Sequence, residues 1–137
     1  MNILIVEDNF VSRRVLSLIV GKYGSYEVAV NGVEAVDLFN LSCDEGTPYE
    51  VVFLDINMPE LNGQGTLKAI RKIEKDRGIE GLKRAKIIMT TASEEFEDID
   101  TAFSEQCDAY LVKPIDEKKL EDTLKRVLNQ TTFSQTK

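Results

Sequence analysis

The chain contains no histidine among its 137 residues. Without an imidazole it cannot supply Ser-His or Cys-His catalysis from its own residues. It lacks the commonest transition-metal ligand, which argues against zinc, and it cannot carry phosphate on histidine. No apolar run approaches the ~20 residues that span a bilayer. Met1 leads straight into Ile3-Leu4-Ile5-Val6, with neither a basic leader nor a small-residue cleavage site, so no signal peptide and a cytoplasmic location are expected. An excess of basic charge is missing too. The 17 Lys and Arg against 24 Asp and Glu leave a net charge of −7, which argues against nucleic acid held on a basic face. The two cysteines, Cys43 and Cys107, form no CxxC pair and read as buried free thiols rather than a disulfide. There is no phosphate-binding Gly-Lys-Ser/Thr loop, and Gly63-Gln64-Gly65 reads as turn chemistry.

What remains is an ordinary globular composition, 42% apolar and 30% charged, of a length suited to one domain. Five short apolar runs punctuate it: Ile3-Leu4-Ile5-Val6, Tyr26–Val30, Val51-Val52-Phe53-Leu54, Lys86–Thr90 and Asp108–Val112. Between them, residues 10–22 carry Val11, Val15, Leu16, Leu18 and Ile19 at helical spacing, with Asn9 or Asp8 as cap. Val33, Ala35, Val36, Leu38, Phe39 and Leu41 mark a second helix, after a turn at Asn31-Gly32. A third begins near residue 64 (Leu67, Ile70, Ile73), a weak acidic one covers 95–105, and a fifth covers 116–129. The polar, mixed-charge segment from Lys75 to Lys86 is either an extended helix end or a loop. Strand and helix alternating five times predict an α/β fold with a parallel sheet covered on both faces. The expected strand order is 2-1-3-4-5, a (βα)5 flavodoxin-like three-layer sandwich. Residues 1–129 are expected as one domain and 130–137 as a polar tail.

The central stretch is Val51 to Pro59, four apolar residues running into Asp55. Such runs are strands buried on both faces, and open α/β sheets bind ligands at the carboxyl ends of their strands. That edge receives Glu7 and Asp8 from the first strand, Asp55 from the third, Thr91 from the fourth and Lys113 from the fifth. Carboxylates gathered there repel unless neutralised, and a hard divalent cation with oxygen ligands, Mg2+, suits both them and a phosphate. Asp55 is then a nucleophile that forms an acyl phosphate. Lys113 and the Thr91 hydroxyl would stabilise the phosphoryl oxygens.

Taken together, Ile5-Val6-Glu7-Asp8-Asn9, Phe53-Leu54-Asp55-Ile56-Asn57-Met58-Pro59, Gly63, Thr91-Ala92 and Lys113-Pro114 resemble the response-regulator receiver domain of two-component signalling, over residues 2 to about 129. The resemblance implies that Asp55 is the phosphorylated residue. It also implies that Asp8, Asp55 and the backbone carbonyl of Asn57 bind Mg2+, with Glu7 acting through a metal-bound water. Lys113 would pair with the phosphoryl group, Thr91 would swing toward it, and Tyr110 would turn inward as an aromatic switch. The expected donor is a histidine kinase or histidine phosphotransfer protein. The output surface would be the helix 4–strand 5–helix 5 face, about residues 95–129, toward an unidentified protein target. A phosphorylation-dependent homodimer is left open, and neither nucleic acid nor a membrane is expected as partner.

The expected function is a phosphoacceptor switch rather than a turnover enzyme. A start at Met1 directly before the first strand favours a stand-alone regulator. A receiver cut from a hybrid kinase and a receiver-fold scaffold that is never phosphorylated are the alternatives. Mg2+ phosphatases of the haloacid dehalogenase type also use an Asp after a strand, but they need a second acid two positions on, where this chain has Asn57. Asn57 and Ser93 stand where the family tunes attack by water, and small polar residues there suggest loss of the phosphoryl group within minutes.

Overall fold

The computed structural model describes residues 1–56, 62–92 and 106–136, with side chains as far as residue 129. Five parallel strands form one sheet, β1 (Asn2–Val6), β2 (Ser25–Ala29), β3 (Val51–Asp55), β4 (Lys86–Thr91) and β5 (Ala109–Val112), in the order β2-β1-β3-β4-β5. The expected strand order is therefore the observed one. Four helices lie among the described residues: α1 (Phe10–Val20), α2 (Gly32–Asp44), α3 (Gly63–Asp76) and a C-terminal helix (Glu117–Thr136). The expected helix over 95–105 falls outside the described residues.

The sheet alternates cleanly between two cores. Leu4, Val6, Val52, Leu54, Ile87 and Met89 face Ala35 and Phe39 of α2 and Leu67 and Ile70 of α3. Ile3, Ile5, Val51, Phe53 and Ile88 face Leu16, Ile19 and Val20 of α1 and Leu120, Leu124 and Val127 of the C-terminal helix. Both faces of β1, β3 and β4 are thus buried, which is why their sequences read as unbroken apolar runs. Each fully buried Phe or Leu contributes ~2–3 kcal/mol relative to an exposed one. None of the described helices is long and apolar enough to cross a membrane.

The helices start where short polar side chains replace missing backbone acceptors. Asn9, Asn31 and Asn62 each accept an N–H three residues on, from Ser12 at 3.0 Å and from Glu34 and Gly65 at 2.8 Å. The Asn31-Gly32 turn is thereby the first step of α2, and Gly63–Gly65 is the first turn of α3 rather than a free-standing turn. The Lys75–Lys86 segment combines both readings. α3 runs on to Asp76, Gly78 leaves it with φ +74°, and a 3-10 turn follows at Gly81–Lys83. The last helix extends in backbone to Thr136, past the expected end at 129. Helical spacing alone misplaced some side chains. Val11 and Leu18 of α1 are 67% and 62% exposed, because the stripe that meets the sheet is narrower than the apolar positions imply.

The amino ends of β4 and β5 are tied to α3 by a largely buried polar cluster. Arg71 of α3 pairs with Glu74 at 2.7 Å and Asp108 at 3.2 Å, and donates to the backbone carbonyls of Gln106 and Ala85. Glu74 in turn accepts the Ala85 N–H, and Asp108 accepts the Ile87 N–H. Every charge in the cluster thus meets an opposite charge or a backbone dipole, as buried charges require. Cys43 and Cys107 form no disulfide and are half-buried, and burial pushes both thiols up.

Candidate functional site

At the opposite, carboxyl edge of the sheet the apolar layers stop and the polar residues begin. Glu7 directly follows β1, its N–H given to Ala29 O at 3.0 Å, and it is fully buried. Asp8 beside it is exposed. Asp55 ends β3 and is 3% exposed. The chain just beyond it is held from both sides, by Ile56 N–H to Thr90 O at 3.0 Å and by Gly63 N–H to Ile56 O at 2.9 Å. Lys113 follows β5, with its N–H on Thr91 O at 2.6 Å.

The Lys113 ammonium lies 2.7 Å from Glu7 Oε1 and 3.4 Å from Asp55 Oδ2. Carboxylate oxygens of Glu7, Asp8 and Asp55 all lie within 4.8 Å of one another. Burial by itself pushes the Glu7 carboxyl up, but its contacts with Asp55 and Lys113 and the Asn9 backbone outweigh this and hold it below the ordinary value. Burial likewise pulls Lys113 down, and Glu7 and Asp55 more than reverse it, so the ammonium titrates above its ordinary value. Glu7 as carboxylate and Lys113 as ammonium are therefore the favoured forms. One lysine balances carboxylates that would otherwise repel across a low-dielectric edge.

The donor set suits a hard divalent cation. It is all oxygen, it draws carboxylates from three residues into one place, and it holds more acids than Lys113 alone offsets. An ammonium in contact with two of the three acids leaves an edge with the charges that a phosphoryl group and its counter-ion require. A carboxylate with an ammonium beside it is also the arrangement that a nucleophile for phosphorus needs.

The structure thus brings together four of the residues singled out in the sequence, Glu7, Asp8, Asp55 and Lys113. Thr91 is buried at the end of β4, and Tyr110 is half-buried against the layer that contains Leu54 and Met89. Asn57, Ser93 and residues 95–105 of the expected output face lie outside the described residues. Two further residues stand at this edge. Arg13 reaches back from α1 to the carbonyls of Glu7 and Asp8, at 3.3 and 3.5 Å, with its guanidinium over the Phe10 ring. Thr90 stands opposite Asp55 on the neighbouring strand.

Residues 3–125 match the family model described as the response regulator receiver domain. The chain belongs to that family. It is 35% identical, over 82% of its length, to hybrid signal transduction histidine kinase B of Dictyostelium discoideum, of which it spans only 6%. Among solved structures it resembles the receiver domain of Saccharomyces cerevisiae Ssk1, crystallised with the histidine phosphotransfer protein Ypd1 (TM-score 0.75, 32% identity, 91% of this chain and 86% of that one). It also resembles the response regulator TrrA of Thermotoga maritima, solved with Mg2+ and beryllofluoride (TM-score 0.70, 31% identity, 91% and 96% coverage).

Proposed function

We propose that Asp55 is the phosphoacceptor of a two-component or phosphorelay switch and that its donor is a phosphohistidine on a histidine kinase or phosphotransfer protein. An Asp55 oxygen attacks phosphorus, the P–N bond to the donor imidazole breaks, and its electron pair leaves with the imidazole. The imidazole comes from outside these 137 residues, which contain no histidine. The observation that carries the reading is the Lys113 ammonium set between two buried carboxylates at the carboxyl edge of the sheet. Lys113 exchanges its contact with Asp55 for one with a phosphoryl oxygen and so follows the charge as it moves.

Asp8 and Asp55 would hold Mg2+, with Glu7 behind them through water and the Asn57 carbonyl completing the set. When bound, the ion neutralises phosphoryl oxygens and lets the acids approach them. Asp8 is the exposed acid of the three and so stands at the entrance to the site. Glu7, wholly buried, holds Lys113 in place. The Thr91 hydroxyl closes on the phosphoryl group, and Tyr110 takes up the space this opens. That shifts a two-state equilibrium of the partner face around β5 and the C-terminal helix. The likeness to Ssk1, crystallised with a phosphotransfer protein, supports this class of donor. The functional unit of this reading is residues 1–129.

The test is intact mass after incubation with acetyl phosphate and Mg2+, wild type beside Asp55→Asn. One phosphoryl group on wild type alone, dependent on Mg2+, is expected. Labelling of Asp55→Asn at the wild-type rate would overturn the assignment.

A further inference from the structure

Register and pleat place three polar residues in one row across the sheet. Val6 is paired with Leu54, so Glu7 continues opposite Asp55, and Asp55 is paired with Thr90. Leu54 and Met89 face one core, while Phe53 and Ile88 face the other. Side chains alternate along a strand, and paired parallel residues project to the same face. Asp55 and Thr90 therefore both point to the side of Phe53 and Ile88, one strand spacing of about 4.8 Å apart. Thr91, the last residue of β4, lies one step further toward the open edge of the sheet. Thr90 is 1% exposed, and its Oγ1 is buried with no hydrogen-bond partner among the described residues. A buried, unpaired hydroxyl is costly and calls for an explanation. A single turn about χ1 exchanges its hydroxyl and methyl positions, and the nearest acceptor in the row is the Asp55 carboxylate.

We propose that Thr90 sets the lifetime of the phosphoryl group by donating a hydrogen bond to the Asp55 oxygen that does not carry phosphorus. The inference rests on Asp55 being the phosphoacceptor. In hydrolysis a water oxygen bonds to phosphorus, the bond from phosphorus to the Asp55 oxygen breaks, and its electron pair returns to the carboxylate. The products are the free carboxylate and inorganic phosphate, and the surplus proton goes to solvent. The non-bridging oxygen is a neutral carbonyl at the start and shares a full negative charge at the end. A hydrogen bond to it roughly doubles in strength as that charge returns. It therefore stabilises the transition state more than the acyl phosphate and speeds release. Thr90 is a residue that shortens the signal, separate in role from Thr91.

The experiment loads wild type, Thr90→Val, Thr90→Ser and Asp55→Asn with acetyl phosphate and Mg2+, removes the donor, and follows intact mass over time alongside thermal unfolding. Valine keeps the shape and removes the hydroxyl. Thr90→Val is expected to hold its phosphoryl group about five- to tenfold longer, the difference between a neutral and a charge-assisted hydrogen bond. Thr90→Ser should return the half-life to within about twofold of wild type. A purely structural hydroxyl would move the unfolding midpoint and leave the half-life alone, so equal decay in wild type and Thr90→Val overturns the inference. Should Thr90→Val fold poorly, Thr90→Ser against Thr90→Ala makes the same comparison. Label retained on Asp55→Asn, or none on wild type, would instead overturn the phosphoacceptor reading and this inference with it.

Discussion

Replacing Gly63 by alanine would put a methyl carbon 2.4 Å from the Asp55 carbonyl oxygen and 2.5 Å from Ile56 Cα, where real Cβ contacts stay beyond 3.0 Å. Both obstacles are backbone, so no side chain can swing aside. The first turn of α3 must move away from β3, or the end of β3 must move. Overpacking of this kind costs ~1–3 kcal/mol. Alanine returns less than 1 kcal/mol of that through helix preference and a stiffer unfolded chain. A net loss of about 1–2 kcal/mol lowers the unfolding midpoint of a domain this size by about 3–10 °C. The functional loss is larger than the stability loss, because the displaced backbone carries Asp55. A displacement near 1 Å at a reacting group costs on the order of a hundredfold in rate. The assay is the initial rate of Mg2+-dependent labelling by acetyl phosphate, with circular dichroism on the same samples. A Gly63→Ala protein that unfolds at or above the wild-type temperature and labels at the wild-type rate would refute the reasoning.

Lys113→Met removes the cation between two buried carboxylates. In metal-free buffer it should lose ~3–5 kcal/mol in urea titration, since breaking a buried pair strands its partners, and millimolar Mg2+ should restore part of this. Arg71→Leu should cost a similar ~3–5 kcal/mol by stranding Glu74 and Asp108, yet leave the labelling rate of the folded protein within about twofold, because that cluster lies at the far end of the sheet. Tyr23 donates to Glu121 at 2.7 Å, and that bond pushes its phenol up to about 12. An unfolded tyrosine loses its proton near pH ~10, so this contribution is complete below that pH and is lost as pH rises through about 12. Tyr23→Phe should flatten the alkaline limb of a stability-against-pH curve, and an unchanged limb would assign that limb elsewhere.

The sheet and the acids at its edge were legible for one reason. Strands buried on both faces must be apolar throughout, so each ends visibly where a polar residue begins, and Glu7, Asp55 and Lys113 stand at such ends. Side-chain partnerships across the fold were not legible. Arg71 and Asp108 are 37 positions apart, and nothing in the local pattern around either residue shows that the chain brings them together. Thr90 carries no motif of its own, since Thr91-Ala92 is the pair that matches the family. Which residue of β4 stands beside Asp55 depends on strand register, and register is a property of the pairing rather than of either strand. The exposed Val11 and Leu18 show the same limit in a helix. Spacing gives the width of an apolar stripe, and only packing shows which part of it the sheet covers.

The bond from the Ile87 N–H to the Asp108 carboxylate, which Arg71→Leu leaves in place, fixes more than stability. Asp108 is held to Ile87 N–H and to Arg71 at the point where the chain enters β5, and five residues later comes Lys113. A strand rises about 3.3 Å per residue, so the anchor at one end acts as the zero mark of a ruler whose far graduation is the ammonium. A slip of one residue at Asp108 would reverse the facing of every β5 side chain and carry Lys113 away from Glu7 and Asp55. The charge that balances the phosphoacceptor is thus aimed from the opposite end of the molecule.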